Sequence, residues 1–257
     1  MGDDTPPLEI ARVGGLFSER QIVLPLTVAT LITLAVSLTV AHFQALATLP
    51  AGLHRYFGNG YCQIMIGLFF AITLYAALHY LGLYVERRHL QQRFGSVADS
   101  RAARWLDWLG YLSGRRADGD EDFPGALRRW YGNARTREDF AHLSDYFLLL
   151  RGQQHQHNFA PIGFAIWVLP LLGFIGTVVG ITQAIGGLEQ AVTPAAAATG
   201  LSTVLGGLKF AFDTTFIGLV LVIPTMLYLL ALRARAQKLD MVYYQILLDR
   251  RFHAEPV

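Results

Sequence analysis

The stretch LPLLGFIGTVVGITQAIGGL, residues 169–188, decides the fold, because it is long enough to cross a lipid bilayer and contains no charged residue. A membrane-spanning helix needs only about 20 apolar residues. Runs of 30 or more residues without Lys, Arg, Asp or Glu lie between Arg20 and Arg55, between Arg55 and Glu86, and between Arg151 and Glu189. This pattern predicts an integral membrane protein.

The composition of the whole chain agrees with this prediction. Of the 257 residues, 53% are apolar and only 16% are charged, which is too hydrophobic for an ordinary soluble domain of this size. The net charge of +2 is too small to indicate a nucleic-acid partner. The single cysteine, Cys62, cannot form an intrachain disulfide and has no neighbouring metal-binding or redox motif.

Four transmembrane helices are predicted, and the chain is therefore expected to be an all-α polytopic membrane protein. In the fourth segment Lys209 and Asp213 interrupt the apolar run, which leaves 19 uncharged residues from Thr214 onward. That length still crosses most of a bilayer. The predicted helices lie within Ile22–Ala45, Tyr61–Val85, Ile162–Leu188 and Leu201–Leu232.

The distribution of basic residues predicts the orientation. Residues 86–159 contain twelve arginines and residues 233–257 contain five further basic residues, whereas the connectors 46–60 and 189–200 contain one basic residue, Arg55. The positive-inside rule therefore places both termini in the cytoplasm, with helices two and three extended into it. The expected layout is a cytoplasmic N-terminal segment (1–21), helices one and two with a short outer loop (22–85), cytoplasmic helical arms joined by a hinge (86–159), a channel-like core (160–235) and a cytoplasmic tail (236–257).

The third helix carries one stripe of small residues. At about 100° per residue these positions share one face, with Thr177 at its edge. Such a stripe lets a neighbouring helix approach closely, because packing drives helix association inside lipid. The stripe consists of Gly173, Gly176, Gly180, Ala184 and Gly187.

The fourth helix has a small and polar face of its own. Thr214 and Gly218 lie one turn apart. Pro224 removes a backbone donor within the predicted span, so the carbonyl it frees needs a partner from a neighbouring helix or from water.

These two helices resemble the core helices of the MotA/TolQ/ExbB proton channel family. The pattern Leu-Gly-x-x-Gly-Thr-Val-x-Gly-Ile at 172–181 is followed by Thr-x-Ile-Gly-Leu-Val-x-x-Ile-Pro at 215–224. The motifs are closest to ExbB and TolQ, which have three spans, whereas the four-span layout is similar to MotA. The resemblance covers residues 160–235, and the rest of the chain agrees in layout only.

The resemblance implies a homo-oligomer, commonly a pentamer, around the helices of a single-span partner of the ExbD/TolR/MotB type that carries the proton-accepting aspartate. It also implies that Thr177 and Thr215 line the pore, with the neighbouring Thr214 on the same proton pathway. Hydroxyl groups both donate and accept hydrogen bonds, as a water-filled proton path needs. The alternative for each threonine is a hydrogen bond to its own helix, which is common in membrane helices.

The sequence departs from the family at one position. ExbB and TolQ have a glutamate five residues before the second threonine, and here that residue is Phe210. Asp213 is a candidate substitute, because a carboxylate within a membrane span usually has a function. The alternative is that Asp213 forms a structural pair with Lys209, four residues earlier.

Two function hypotheses follow. The first is a proton-conducting stator subunit in the bacterial cytoplasmic (inner) membrane, which uses the proton motive force to drive mechanical work across the envelope. The second is a non-conducting oligomeric scaffold whose cytoplasmic arms bind a soluble partner, and Phe210 favours it. We expect no enzyme, cofactor or metal, since no catalytic or nucleotide-binding motif is present and His155 and His157 are typical of surface histidines.

Overall fold

A computed structural model describes residues 20–42, 56–57, 59–94, 112, 137–192 and 197–253. Throughout these ranges the chain is helical apart from a bend at Asn59 and a turn at Val192, with no strand, so the predicted all-α class is confirmed. The stretch 114–124, which contains the turn-forming residues of the predicted hinge, lies outside the described residues. The long helices are α1 (Arg20–His42), α2 (Gly60–Phe94), α3 (Arg137–Ala191) and α4 (Ala197–His253).

Within the described residues, four helices are long and apolar enough to cross a membrane, in agreement with the four predicted spans, and this indicates a multi-pass membrane protein. Three of them extend beyond the predicted apolar segments. Helix α2 continues past Val85, α3 begins well before Ile162, and α4 continues past Leu232. Lys209 and Asp213 do not interrupt α4, which is one continuous helix. Whether the extensions lie in the cytoplasm stays a prediction.

The chain divides into two compact units. The first contains residues 77–159 and 231–257 with the N-terminal segment to Val28, and the second contains residues 29–76 and 160–230. Helices α2, α3 and α4 are long enough that each contributes one part to the first unit and another part to the second.

The first unit has a buried charged centre. The Arg151 side chain, which is fully buried, donates through Nη1 to Glu86 Oε1 and through Nε to Asp240 Oδ1, each at 2.5 Å. Its guanidinium carbon lies 4.0 Å from the centre of the Tyr243 ring, and the Tyr243 hydroxyl donates to Glu86 Oε1 at 3.0 Å. One cation from α3 thus holds a carboxylate from α2 and a carboxylate from α4, and we call these three residues with Tyr243 the Arg151 cluster.

The prediction that His155 is a surface histidine was wrong. His155 is buried, its Nε2 atom lies 3.3 Å from Asp240 Oδ1, and its ring stacks on Phe159. His157, two residues later, is exposed as predicted. The two histidines differ because two residues turn a helix by about 200°, so only one of them faces α4. Among the described residues, no three His, Cys, Asp or Glu side chains come together as metal ligands.

Replacing Arg151 with methionine is expected to lower the free energy of unfolding by about 3 kcal/mol, because two carboxylates lose their shared cation. This expected loss lies at the lower end of the range for broken buried ion pairs, because the Asp240 side chain is 26% exposed. Reversible unfolding in mixed detergent micelles, followed by circular dichroism, measures this change.

The triple variant Arg151→Met, Glu86→Gln, Asp240→Asn is the control, because it removes all three charges together. It should recover most of the lost stability, since a buried charge network replaced as a whole is often neutral. Equal stability of the single and the triple variant would contradict an electrostatic role for the cluster.

Candidate functional site

The glycine stripe of α3 lies against α4 in the second unit. A Cβ atom placed on Gly180 would come closer than 3 Å to backbone atoms of Gly207 and Ala211, and one placed on Gly187 would come equally close to Gly200 and Val204. These obstacles are main-chain atoms, which cannot rotate away as the end of a side chain can. The predicted packing face is therefore a contact between two helix backbones.

The same contact continues toward the other end of the two helices. A Cβ on Gly173 would lie 3.1 Å from the Thr214 carbonyl oxygen, and one on Gly218 would lie 2.8 Å from the Leu169 carbonyl oxygen. A Cβ on Gly176 would overlap the Thr214 side chain. By contrast, a Cβ on Gly186 would meet no atom within 4 Å. Glycine is thus required along one face of α3 and not around the whole helix.

The threonines of the site differ in their partners. The Thr215 hydroxyl lies 3.3 Å from the Gly173 carbonyl oxygen of α3 and 3.1 Å from the Ala211 carbonyl oxygen of its own helix. The Thr177 hydroxyl donates to Phe174 O at 2.5 Å, within α3. Thr215 therefore connects the two helices, whereas Thr177 makes the local hydrogen bond that the sequence left as an alternative.

Burial separates the candidate pathway residues into two pairs. Thr177 and Thr215 are half-buried in the single chain. Thr214 is fully buried and donates to carbonyl oxygens of its own helix, and Asp213 is only 5% exposed. Thr177 and Thr215 are therefore the candidate pathway residues whose side chains are partly exposed in the single chain.

Asp213 and Lys209 have different surroundings, although they lie one turn apart on α4. Lys209 is exposed, whereas Asp213 is buried and lies near enough to the Cys62 thiol of α2 to interact with it electrostatically. Asp213 therefore faces the interior of this unit.

Helix α2 completes the site, which the sequence did not indicate. The Tyr61 hydroxyl donates to the Leu172 carbonyl oxygen at 2.7 Å, and the Tyr61 ring lies edge to face with Phe210 at 5.7 Å between centroids. Cys62 and Met65 pack in one apolar cluster with Leu169. The sequence identifies Tyr61 only as the first residue of the second predicted span. Its contact with α3 became visible only once the three helices were placed together.

Pro224 lies inside α4 and leaves the helix unbroken. The next residue, Thr225, is fully buried, and its hydroxyl donates to Leu221 O at 2.8 Å. A proline has no N–H, so the carbonyl four residues before it loses its hydrogen bond within the helix. The Thr225 hydroxyl donates to the next carbonyl along the chain, that of Leu221.

Residues 134–245 match the sequence profile described as the MotA/TolQ/ExbB proton channel family. The predicted resemblance to this family is therefore confirmed over that segment. It includes the whole glycine contact between α3 and α4, and also Arg151, His155, Asp240 and Tyr243 of the first unit.

A curated relative agrees with the family match. The chain is 36% identical over 102 residues to a protein of Synechocystis sp. described as "Putative biopolymer transport protein ExbB-like 3". The alignment covers 35% of this chain and 44% of the relative, so the chain spans less than half the length of the curated relative it matches. No solved structure matches this chain.

Replacing Gly180 with alanine is expected to destabilise the second unit by about 2 kcal/mol, because the added methyl group meets main-chain atoms of α4 and forces the helices apart. Thermal unfolding of the detergent-solubilised protein measures this effect.

Gly186→Ala is the matched control on the same helix, since its methyl group enters open space. It should be neutral or stabilising by up to about 1 kcal/mol, because alanine favours the helix over glycine. Two variants of equal stability would contradict the backbone contact.

Proposed function

We propose that the chain is a proton-conducting stator subunit, which uses the proton motive force together with a single-span partner to drive mechanical work across the cell envelope. The observation that carries the proposal is the backbone contact between α3 and α4, which holds two family motifs in register and leaves Thr177 and Thr215 partly exposed. The family description and the ExbB-like relative support a proton-channel role.

In this proposal several copies of the chain, commonly five, form a ring around the partner's helix. Thr177 and Thr215 point their hydroxyls toward the wet interior and exchange hydrogen bonds with water. Thr214 and Asp213, which are buried inside the chain, complete the pathway, with Asp213 as a carboxylate in the place of the family glutamate. Gly173, Gly176, Gly180, Gly218 and Pro224 set the spacing and course of the two helices.

The proposed setting is the bacterial inner membrane with both termini in the cytoplasm. The basic residues of 86–159 support this orientation through the positive-inside rule. The domain layout follows from it: residues 22–85 and 160–235 in the membrane, and 1–21, 86–159 and 236–257 on the cytoplasmic side.

A second candidate is a non-conducting scaffold whose cytoplasmic arms bind a soluble protein. One contact favours it. Phe210, at the position of the family glutamate, packs against Tyr61 of the same unit, so an aromatic pair stands where a carboxylate is expected. The scaffold keeps the helix contact and loses the proton path.

Proton flux separates the two candidates. The chain is co-expressed with a partner that has one transmembrane helix bearing an aspartate, and the purified complex is placed in liposomes with an imposed pH gradient. The double variant Thr177→Val, Thr215→Val should conduct about tenfold more slowly, because a loss of about 1.4 kcal/mol at the highest barrier gives that factor.

Thr182→Val is the matched control, since Thr182 is exposed on the same helix and its hydroxyl bonds only to Val178 O in the described structure. Its flux should equal that of the wild type. Unchanged flux in the double variant would refute the pore role of the two threonines, and no flux from the wild-type complex would favour the scaffold.

A further inference from the structure

One exposed face of the first unit combines tyrosines with basic residues. Tyr80, Tyr84 and Arg87 follow one another at helical spacing on α2, and Arg235 and Lys238 do so on α4. All five side chains are exposed. The Arg235 guanidinium carbon lies 4.7 Å from the centre of the Tyr80 ring, which joins the two rows. We call these five residues the tyrosine-arginine face.

The two helices run in the same direction along this face. Tyr80 contacts Arg235, and farther along both helices Glu86 contacts Tyr243. The second contact lies six residues later on α2 and eight residues later on α4. Because the rise per residue is the same in both helices, Lys238 and Tyr84 each lie about one turn beyond the first contact. The rows therefore advance side by side.

The charge of this face follows from the Arg151 cluster. Residues 77–94 and 231–246 contain only one acid each, Glu86 and Asp240. Both acids are turned inward onto Arg151. Four basic residues of these two stretches have exposed side chains: Arg87, Arg233, Arg235 and Lys238.

We propose that the tyrosine-arginine face binds the headgroup of an anionic phospholipid. A phosphodiester presents anionic oxygens that a guanidinium contacts in a bidentate manner and that a lysine and tyrosine hydroxyls also contact. The cation-π contact holds the Arg235 guanidinium over the Tyr80 ring, and its N–H groups can donate to a phosphate at the same time.

The sequence context favours a lipid over an acidic protein. Both rows come directly after apolar stretches, the first after the apolar part of α2 and the second after the uncharged run from Thr214 to Leu232. Tyrosines at the end of a membrane span are typical of headgroup depth, and basic clusters beside such a span are typical of anionic lipid recognition. The proposal depends on this membrane placement and is independent of proton conduction.

Native mass spectrometry of the full chain in neutral detergent, titrated with dioleoyl phosphatidylglycerol or dioleoyl phosphatidylcholine, tests the proposal. The wild type should bind phosphatidylglycerol more tightly. The double variant Arg235→Gln, Lys238→Gln should raise the Kd for phosphatidylglycerol roughly 25-fold, since each basic residue near an anionic lipid contributes about a factor of five. Its Kd for phosphatidylcholine should not change.

Arg233→Gln is the matched control on the same helix. Arg233 is exposed and loses the same charge, but it lies about 200° around α4 from Arg235 and so on another face. Its Kd for phosphatidylglycerol should change by less than about a factor of two. An effect as large as that of the double variant would overturn the assignment to this face.

Two further measurements keep the test decisive if the double variant folds poorly. Raising ammonium acetate from about 0.1 to 0.5 M should weaken phosphatidylglycerol binding by the wild type and leave phosphatidylcholine binding unchanged, because salt screens exposed charges. Glycerol phosphate, the soluble headgroup, should not displace the lipid at equal concentration. Equal affinity for the two lipids, or displacement by glycerol phosphate, would overturn the lipid proposal, and the first result would leave an acidic protein as the partner.

Discussion

The close approach of two helix backbones in the second unit is the constraint on which the proposed channel core depends. Where Gly180 faces Gly207, even a methyl group would overlap main-chain atoms. Lipid tails are as apolar as leucine, so helices in a bilayer gain little from burying apolar side chains and associate through close packing and hydrogen bonds. The Thr215 hydroxyl reaches the Gly173 carbonyl because the helices are this close.

The first unit is stabilised by a different interaction. Its centre is a charged group, with Arg151 between Glu86 and Asp240 and the Tyr243 ring against the guanidinium. A buried arginine is costly unless its charge is matched, and two carboxylates with a neighbouring aromatic face supply that match. The same arrangement turns Glu86 and most of Asp240 toward Arg151, and the exposed charges nearby, Arg87, Arg235 and Lys238, are basic.

The sequence predicted the features that depend on local spacing. The four spans follow from apolar runs, and the glycine stripe follows from the helical period, since Gly173, Gly176 and Gly180 share one face whatever lies opposite. The sequence did not show that α4 continues through Lys209 and Asp213. Hydropathy marks where an apolar run is interrupted by charges, but a helix can continue through charged residues.

Contacts between residues that are far apart in the sequence could not be predicted from the sequence either. Glu86, Arg151 and Asp240 lie on three helices, and nothing in the spacing of one helix shows which residue of another it meets. The helical period of one segment therefore predicts neither that His155 contacts Asp240 nor that Tyr61 contacts Leu172. The pathway roles of Thr177, Thr215, Thr214 and Asp213 stay predictions that belong to the assembled complex.

The contact between α3 and α4 is tested most directly by disulfide formation in the membrane. In a Cys62→Ser background, the pair Gly187→Cys and Thr203→Cys should form an intrachain disulfide under mild oxidation, because a Cβ on Gly187 lies next to the Thr203 Cβ. The pair Gly186→Cys and Thr203→Cys should stay reduced, since a Cβ on Gly186 meets open space. Absence of the first disulfide, or equally rapid formation of the second, would contradict the account.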